Sequence, residues 1–476
     1  MNSGDMNPQA VVGVDRTIVA YLTGFALLYI GFVTYSYLEW RQSLAIAALA
    51  LPLGVIIIAI PRVVVYQYIF FLFIHVTLVR SVPLNVIDIS AVAVILAAIA
   101  DVLVRNRLPR RLPNLTMNFA VLLAALTVSA ACGYNPIESL RPIARILFLL
   151  LTLLAIYRLS GHLEVKRLLA LYFWLTVAHS VVVLTPFIMS GGSLRSFGFA
   201  WAVFDELSML AVPIGLVYYL WSAGRNSWIY LAGTGLVFLA LLATQSRAPI
   251  IFAVASIVLV LWETRRYATR RGRADASGAI SIQSPPAARR VKSIVWMIVC
   301  LGFLVVVVSP GVLTALGERF ERLFTLSPGG TFAIRLVLWK WALIAFSDHP
   351  IFGIGPGVFR SLETIYPGLH MTPLHYYVRF LSAHNLTLHY LAETGLVGAL
   401  ALLSLFINQF RIARLCWKRT RDIAEAPVGL AIYATGFLFL ITTLIEAGWM
   451  WGQTGFIMTF FLAIIARSYR NSQVLQ

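Results

Sequence analysis

The chain has 476 residues, 60% of them hydrophobic and 12% charged, with a formal net charge of +18. A soluble domain carries roughly twice that charged fraction, which excludes a soluble globular enzyme. The basic excess lies between apolar runs and not on an aromatic-laced face, which argues against a nucleic-acid partner. Cys132, Cys300 and Cys416 fall in separate segments, with neither metal-site nor disulfide spacing.

In chain order, the first sixteen residues are polar and lack the short apolar region and small-residue cleavage site of a removed signal peptide. Residues 17–38 therefore read as a retained first span. Apolar runs of about 20 residues, enough to cross a bilayer's hydrocarbon core as a helix, recur from there to the C-terminus. The expected spans are 17–38, 43–60, 63–79, 86–104, 116–132, 141–157, 167–188, 204–222, 227–245, 248–263, 293–310, 385–408, 428–446 and 451–467. Partial re-entry around Pro61 and Arg62, or from Gln245 to Pro249, would lower that number of fourteen to twelve. The fold class expected is an all-α polytopic membrane protein of 12–14 transmembrane helices, because only helices of this composition satisfy their backbone in lipid.

Alternate loops gather the cations. Arg105, Arg107, Arg110 and Arg111 mark one, Arg158, Lys166 and Arg167 another, and Arg411, Arg414, Lys418, Arg419 and Arg421 a third. The loop 264–292, basic at both ends around a Ser-, Ala- and Pro-rich middle expected to be disordered, falls on the same side. Short basic loops stay in the cytoplasm, so both termini are expected there and the long connection 311–384 is expected in the periplasm of a bacterial inner membrane. That connection holds four of the chain's eight histidines.

Ionisable residues in spans are costly in lipid and point to function. Asp88, Arg141, Arg145, Asp205, Glu206, Arg247 and Glu446 all fall toward the periplasmic ends of their expected helices, which suggests a cavity open to one side. Within the long connection, residues 332–348 place Arg335 and Trp339 four apart, followed by Lys340 and Trp341, as in a helix lying along the membrane interface. The next stretch, HPIFGIGPGVF, carries Gly353, Gly355 and Gly357, which permit a tight backbone path. The strand-then-helix context of a nucleotide loop is missing around it.

Taken together, SRAPIIFAVASI from Ser246, the Arg335 to Trp339 segment, HPIFGIGPGVF, and AHNLTLHYLAETGLVG from Ala383 to Gly398 resemble the O-antigen ligase and polymerase superfamily. The resemblance implies a GT-C-like, multi-span glycosyltransferase acting on undecaprenyl-diphosphate-linked glycans at the periplasmic face. It covers roughly residues 195–400, flanked by N-terminal spans (1–194) and C-terminal spans (401–476). It also implies roles for Arg247 and Arg335 on the donor diphosphate and for His384 at the acceptor. One departure is that Arg195 and Gly198 are followed by FAWAVFDELSML where family members often have an Asn-Pro-Asn-like stretch.

The chemistry agrees with those roles. A diphosphate leaves with developing negative charge, which fixed guanidinium groups stabilise, and a histidine near neutral pH is suited to take a hydroxyl proton. Lys340 and Glu393 are further candidate substrate contacts. His389 and Glu393, four apart on one helix face, can also simply bond one another. No metal or nucleotide cofactor is expected, since the donor is already activated. The expected partners are the lipid-linked glycan donor, a glycan or lipid A-core acceptor, and membrane lipids. The leading reading is a metal-independent, inverting ligase-like transferase. Repeat-unit polymerization is the alternative within the class, and a lipid-linked glycan flippase is the rival from another class.

Overall fold

The structure is a computed structural model, and it describes residues 63–74, 77–79, 84–105, 112–190, 196, 203–221, 227–276, 290, 293–294, 331–371, 381–421, 424–443 and 452–474. The expected spans 17–38 and 43–60, and nearly all of 293–310, lie outside the described residues. The described elements are α1 (Val63–Phe71), β1 (Thr77–Val79), β2 (Leu84–Asn85), α2 (Val86–Arg105), α3 (Thr116–Cys132), α4 (Pro136–Leu159), α5 (Val165–Met189) and α6 (Phe204–Trp221). They continue with α7 (Trp228–Ala243), α8 (Arg247–Ala276), α9 (Thr331–Asp348), α10 (Leu362–Ile365), α11 (Leu386–Thr420), α12 (Ala426–Thr442) and α13 (Gly452–Val474).

The protein is an all-α polytopic membrane protein. Among the described residues, α4, α5, α8, α11 and the Val86–Val104 stretch of α2 are long and apolar enough to cross a membrane, and α3, α7 and α12 are shorter apolar helices. One expected span needs correction. The run 63–79 is not one helix: α1 ends at Phe71, and the chain turns into an antiparallel β1–β2 ribbon that pairs Thr77 with Asn85. Hydropathy sees only an apolar run there; the ribbon instead satisfies the backbone by strand-to-strand pairing.

Two hydrophobic cores result. The larger is the helix bundle, with α6 at its heart: every residue from Leu207 to Leu220 is buried. A helix apolar on all sides belongs inside a bundle, so α6 packs against α5, α7, α8 and α12 at once. The smaller core lies over one end, built from Leu338, Trp341 and Ala345 of α9 with Ile354, Phe359, Leu362 and the N-terminal part of α11. The two tryptophans of α9 have different surroundings. Trp341 is buried in this small core, whereas Trp339 is half-buried, donates its indole N–H to protein and lines the exposed apolar groove of α9.

Two ion pairs set the register of α2 and α4. Arg145 donates to Asp88 at 2.8 Å, and Arg158 approaches Asp101 to 2.9 Å. Both partners advance by 13 residues (88 to 101, 145 to 158), so the helices run parallel with clamps about 20 Å apart. The intervening helix in the chain, α3, packs on α4 and runs antiparallel to α11. Asn118 meets Ser404 and Asn408 near one end, and Ser129 meets the Glu393 carbonyl near the other.

Candidate active site

The site end of the bundle is organised by a break in α11. Gly395 has φ +61 and non-helical ψ, which interrupts the helix between Thr394 and Leu396. Such a break frees backbone groups that lipid cannot satisfy. Here the HPIFGIGPG segment satisfies them. Ile354 and Gly355 N–H groups donate to the Ala392 and Glu393 carbonyls at 3.0 and 2.8 Å, while Leu396 and Val397 N–H groups donate to the Pro350 and Ile351 carbonyls at 2.8 and 3.3 Å. Ser129 adds a hydroxyl shared by the Phe352 and Glu393 carbonyls at 2.6 and 3.0 Å, and Tyr134 N–H donates to Ile354 O at 2.9 Å.

The glycines are required for this approach. A Cβ at Gly353 would strike the Glu393–Thr394 peptide, and one at Gly395 would strike the Ile351 carbonyl group. Gly353, Gly355 and Gly357 all lie at positive φ, at +71, +111 and +83. They shape the loop and hold it against the broken helix, and the phosphate-loop alternative finds no support in this geometry.

His384 sits just before α11, in a left-handed conformation with φ +47, and Asn385 caps the helix by accepting from Leu388 N–H at 3.0 Å. Gln245, two residues before Arg247, has φ +54; these are the two non-glycine residues at positive φ among the described residues. Such strain persists where surrounding structure over-determines it, often at functional positions. On the side of α9, Trp339 donates its indole N–H to the Ala383 carbonyl at 3.0 Å. Arg335, one turn earlier, faces His384 closely enough to act on it electrostatically. Burial first, then the Arg335 guanidinium and, least, His389 hold the His384 imidazole below its usual range. Its ring is therefore neutral near pH 7 and able to accept a proton.

The other sequence-predicted residues divide. Arg247 is half-buried at the start of α8, which packs against α6 and α12. Lys340 is exposed on a shallow apolar groove beside Leu336, Trp339 and Leu343. Glu393 is 2% exposed, and its Oε1 accepts from Phe359 N–H at 3.1 Å and lies 3.4 Å from His389 Nε2. The structure thus brings Glu393 to the loop and the helix break. His349 meets the Tyr134 hydroxyl at 2.9 Å, and Arg141 and Arg360 are exposed.

Of the ionisable residues near the helix ends, three have described partners. Asp88 and Arg145 neutralise one another, and Arg145 also lies 4.2 Å from the Phe456 ring centroid, tying α4 to α13. Asp205 is buried at the start of α6, its carboxylate accepting from Glu206 N–H at 3.1 Å. Glu446 and the stretch around Arg195 and Gly198 lie outside the described residues. Sequence reasoning missed Ser129, Tyr134 and the break at Gly395; an isolated glycine inside an apolar run was the available signal for the last.

These observations define the class: a polytopic membrane protein whose broken helix and docked loop segment hold a guanidinium beside a neutral imidazole at one end of the bundle. Residues 232–403 match the family model described as O-Antigen ligase, which places this region in the O-antigen ligase superfamily and supports a ligase- or polymerase-like membrane glycosyltransferase role. The match starts within α7 and ends within α11, and so includes Arg247, Arg335 and His384. No individual curated protein matches the chain.

Proposed function

We propose that the chain transfers a glycan from an undecaprenyl-diphosphate donor to an acceptor hydroxyl at the periplasmic face of the bacterial inner membrane. The observation that carries this reading is the juxtaposition of Arg335 with a neutral His384, held by the Trp339–Ala383 bond inside the family-matched segment. In the reaction, the acceptor oxygen attacks the anomeric carbon and its proton passes to His384. The bond from that carbon to the diphosphate oxygen breaks, with inversion, and the electron pair leaves on the lipid diphosphate. Arg335, with Arg247 from α8, stabilises that charge by bidentate contacts. The N-terminus of α11 favours the uncharged ring before the proton arrives. Lys340 and Glu393 are assigned secondary roles, Lys340 as a donor contact and Glu393 in holding the loop. All steps use protein side chains, with the metal-free, inverting mechanism as part of the proposal.

The test is turnover of purified full chain with a lipid-linked glycan, together with glycan length in a deletion strain. His384→Ala is expected to lower turnover by about two to four orders of magnitude with donor binding largely kept. Near-normal turnover by His384→Gln would reduce His384 to acceptor positioning. In the strain, free lipid-linked polymer with loss of surface coating supports a ligase. Single repeats would instead make the protein a polymerase, and cytoplasm-facing intermediates would make it a flippase.

A further inference from the structure

A second charged centre lies at the opposite end of the bundle from His384. Near the C-terminal end of α11, Arg414, Lys418 and Arg421 recur at i, i+4 and i+7 and so share one face. On α8, Glu263, Arg266 and Arg270 recur at i, i+3 and i+7 and share another. The fold turns both stripes into one cavity of about 280 Å³, closed on a third side by Tyr433 of α12. Its lining holds five cations against the single carboxylate of Glu263.

That carboxylate is occupied. Trp417 N–H donates to Glu263 Oε2 at 3.1 Å, joining α11 to α8 across the cavity floor, and Arg266 Nη1 lies 3.9 Å from Glu263 Oε1. Basic residues that merely set membrane orientation need only reside in a loop. Two helices that aim like charges into one recess accept a repulsion that a bound anion would relieve.

The depth of the recess says which anion. Arg266 stands 19 residues beyond Arg247 on the same helix, roughly 28 Å along its axis and close to the thickness of a bilayer's hydrocarbon core. The cavity is therefore level with the headgroups of the other leaflet. Trp221, Tyr267 and Trp417 pack beside it with ring centroids 5.1 to 6.4 Å apart, and so join α6, α8 and α11 at this level.

The geometry points to a binding site for the phosphate headgroup of an anionic membrane lipid in the cleft between α8, α11 and α12. The acyl chains would lie along the exposed apolar faces of α8 and α11, where Val258, Trp262 and Ile407 face outward. The headgroup phosphate would bridge the two cationic stripes and couple the ends of two helices whose other ends carry Arg247 and His384.

Native mass spectrometry of the purified full chain tests this, with phosphatidylglycerol or cardiolipin as probe and phosphatidylethanolamine as the neutral comparison. The Arg414→Gln, Lys418→Gln pair is compared with Arg265→Gln, Arg411→Gln, which removes equal charge from exposed positions outside the cavity. The expected result is retention of the anionic lipid by the wild type and the second pair, and retention weaker by about tenfold or more in the first. Equal retention by both pairs, or equal loss in both, would overturn a localised site. Displacement of the lipid by millimolar inorganic phosphate would assign the cavity to a free phosphate anion and overturn the lipid source. Arg266→Gln alone, expected to weaken retention in the same direction, replaces the first pair if that pair does not fold.

Discussion

The indole of Trp339 donates to the carbonyl of Ala383 across 44 residues of chain, and the next residue after that carbonyl is His384. This bond joins α9 to the entrance of α11, so the turn of α9 that carries Arg335 and the left-handed turn that carries His384 are held as one unit. Trp339→Phe keeps the ring and removes the donor. It is expected to leave the protein folded and to lower kcat roughly tenfold to a hundredfold with the KM for donor little changed, since a small misplacement of the reacting groups suffices. A variant with unchanged kcat would show that the bond does not position His384.

Charge linkage between the same two residues gives a pH signature. Burial and Arg335 both hold the His384 imidazole below its usual range, so the ring stays unprotonated to a lower pH than a free histidine. If it is the base, the acidic limb of kcat/KM against pH should lie below the ordinary histidine value of about 6.5. Arg335→Gln removes a neighbouring positive charge, which raises the His384 pKa and moves that limb to higher pH while lowering the overall rate. A limb that stays in place in Arg335→Gln would separate the two residues.

The α11 break should be intolerant of any side chain. Gly395→Ala puts a Cβ into the Ile351 carbonyl group at φ +61 and is expected to cost about 2 kcal/mol or more. Gly368, which has nothing within 4 Å of a built Cβ, is the matched comparison, and Gly368→Ala should be close to neutral. Thermal unfolding of both variants in detergent reads the difference, and equal midpoints would show that the docked loop contributes nothing to stability.

Asp88 and Arg145 act on the fold by this geometry, their side chains being 13% and 20% exposed. Asp88→Ala leaves the arginine without its carboxylate among apolar helices and should destabilise the protein by roughly 3 kcal/mol. The double variant Asp88→Leu, Arg145→Met is expected to recover most of that loss and retain transfer activity. Loss of turnover at normal stability in the double variant would show that the pair also serves the reaction.

Orientation is checked by cysteine labelling of whole cells with an impermeant reagent. Native Cys132 is exposed at the site end of α3, so the experiment needs a cysteine-free background. His370→Cys is expected to react and Ile280→Cys to remain protected. The reverse pattern would put the site on the cytoplasmic face.

The sequence by itself determined the class of molecule and most of its helices, because hydropathy is a local sum: α3 at Thr116–Cys132 and α5 at Val165–Met189 lie where their apolar runs predict. It also singled out the segments that the family model matches, since Arg247, Arg335 and His384 all fall within residues 232–403. What those residues face was decided only by tertiary structure. The same apolar content reads as a span over 63–79, yet the chain turns at Phe71 because ribbon pairing with Asn85 satisfies its backbone. Asp88 reads as a costly intramembrane charge until Arg145, 57 residues away, pairs with it. Glycines at 353 and 395 read as loop and helix residues until the two backbones meet, with Ser129, 264 residues from Glu393, bonded between them. Pairing energies depend on which groups come within a few ångströms of one another, and that adjacency is a property of the packed bundle that no local run of residues encodes.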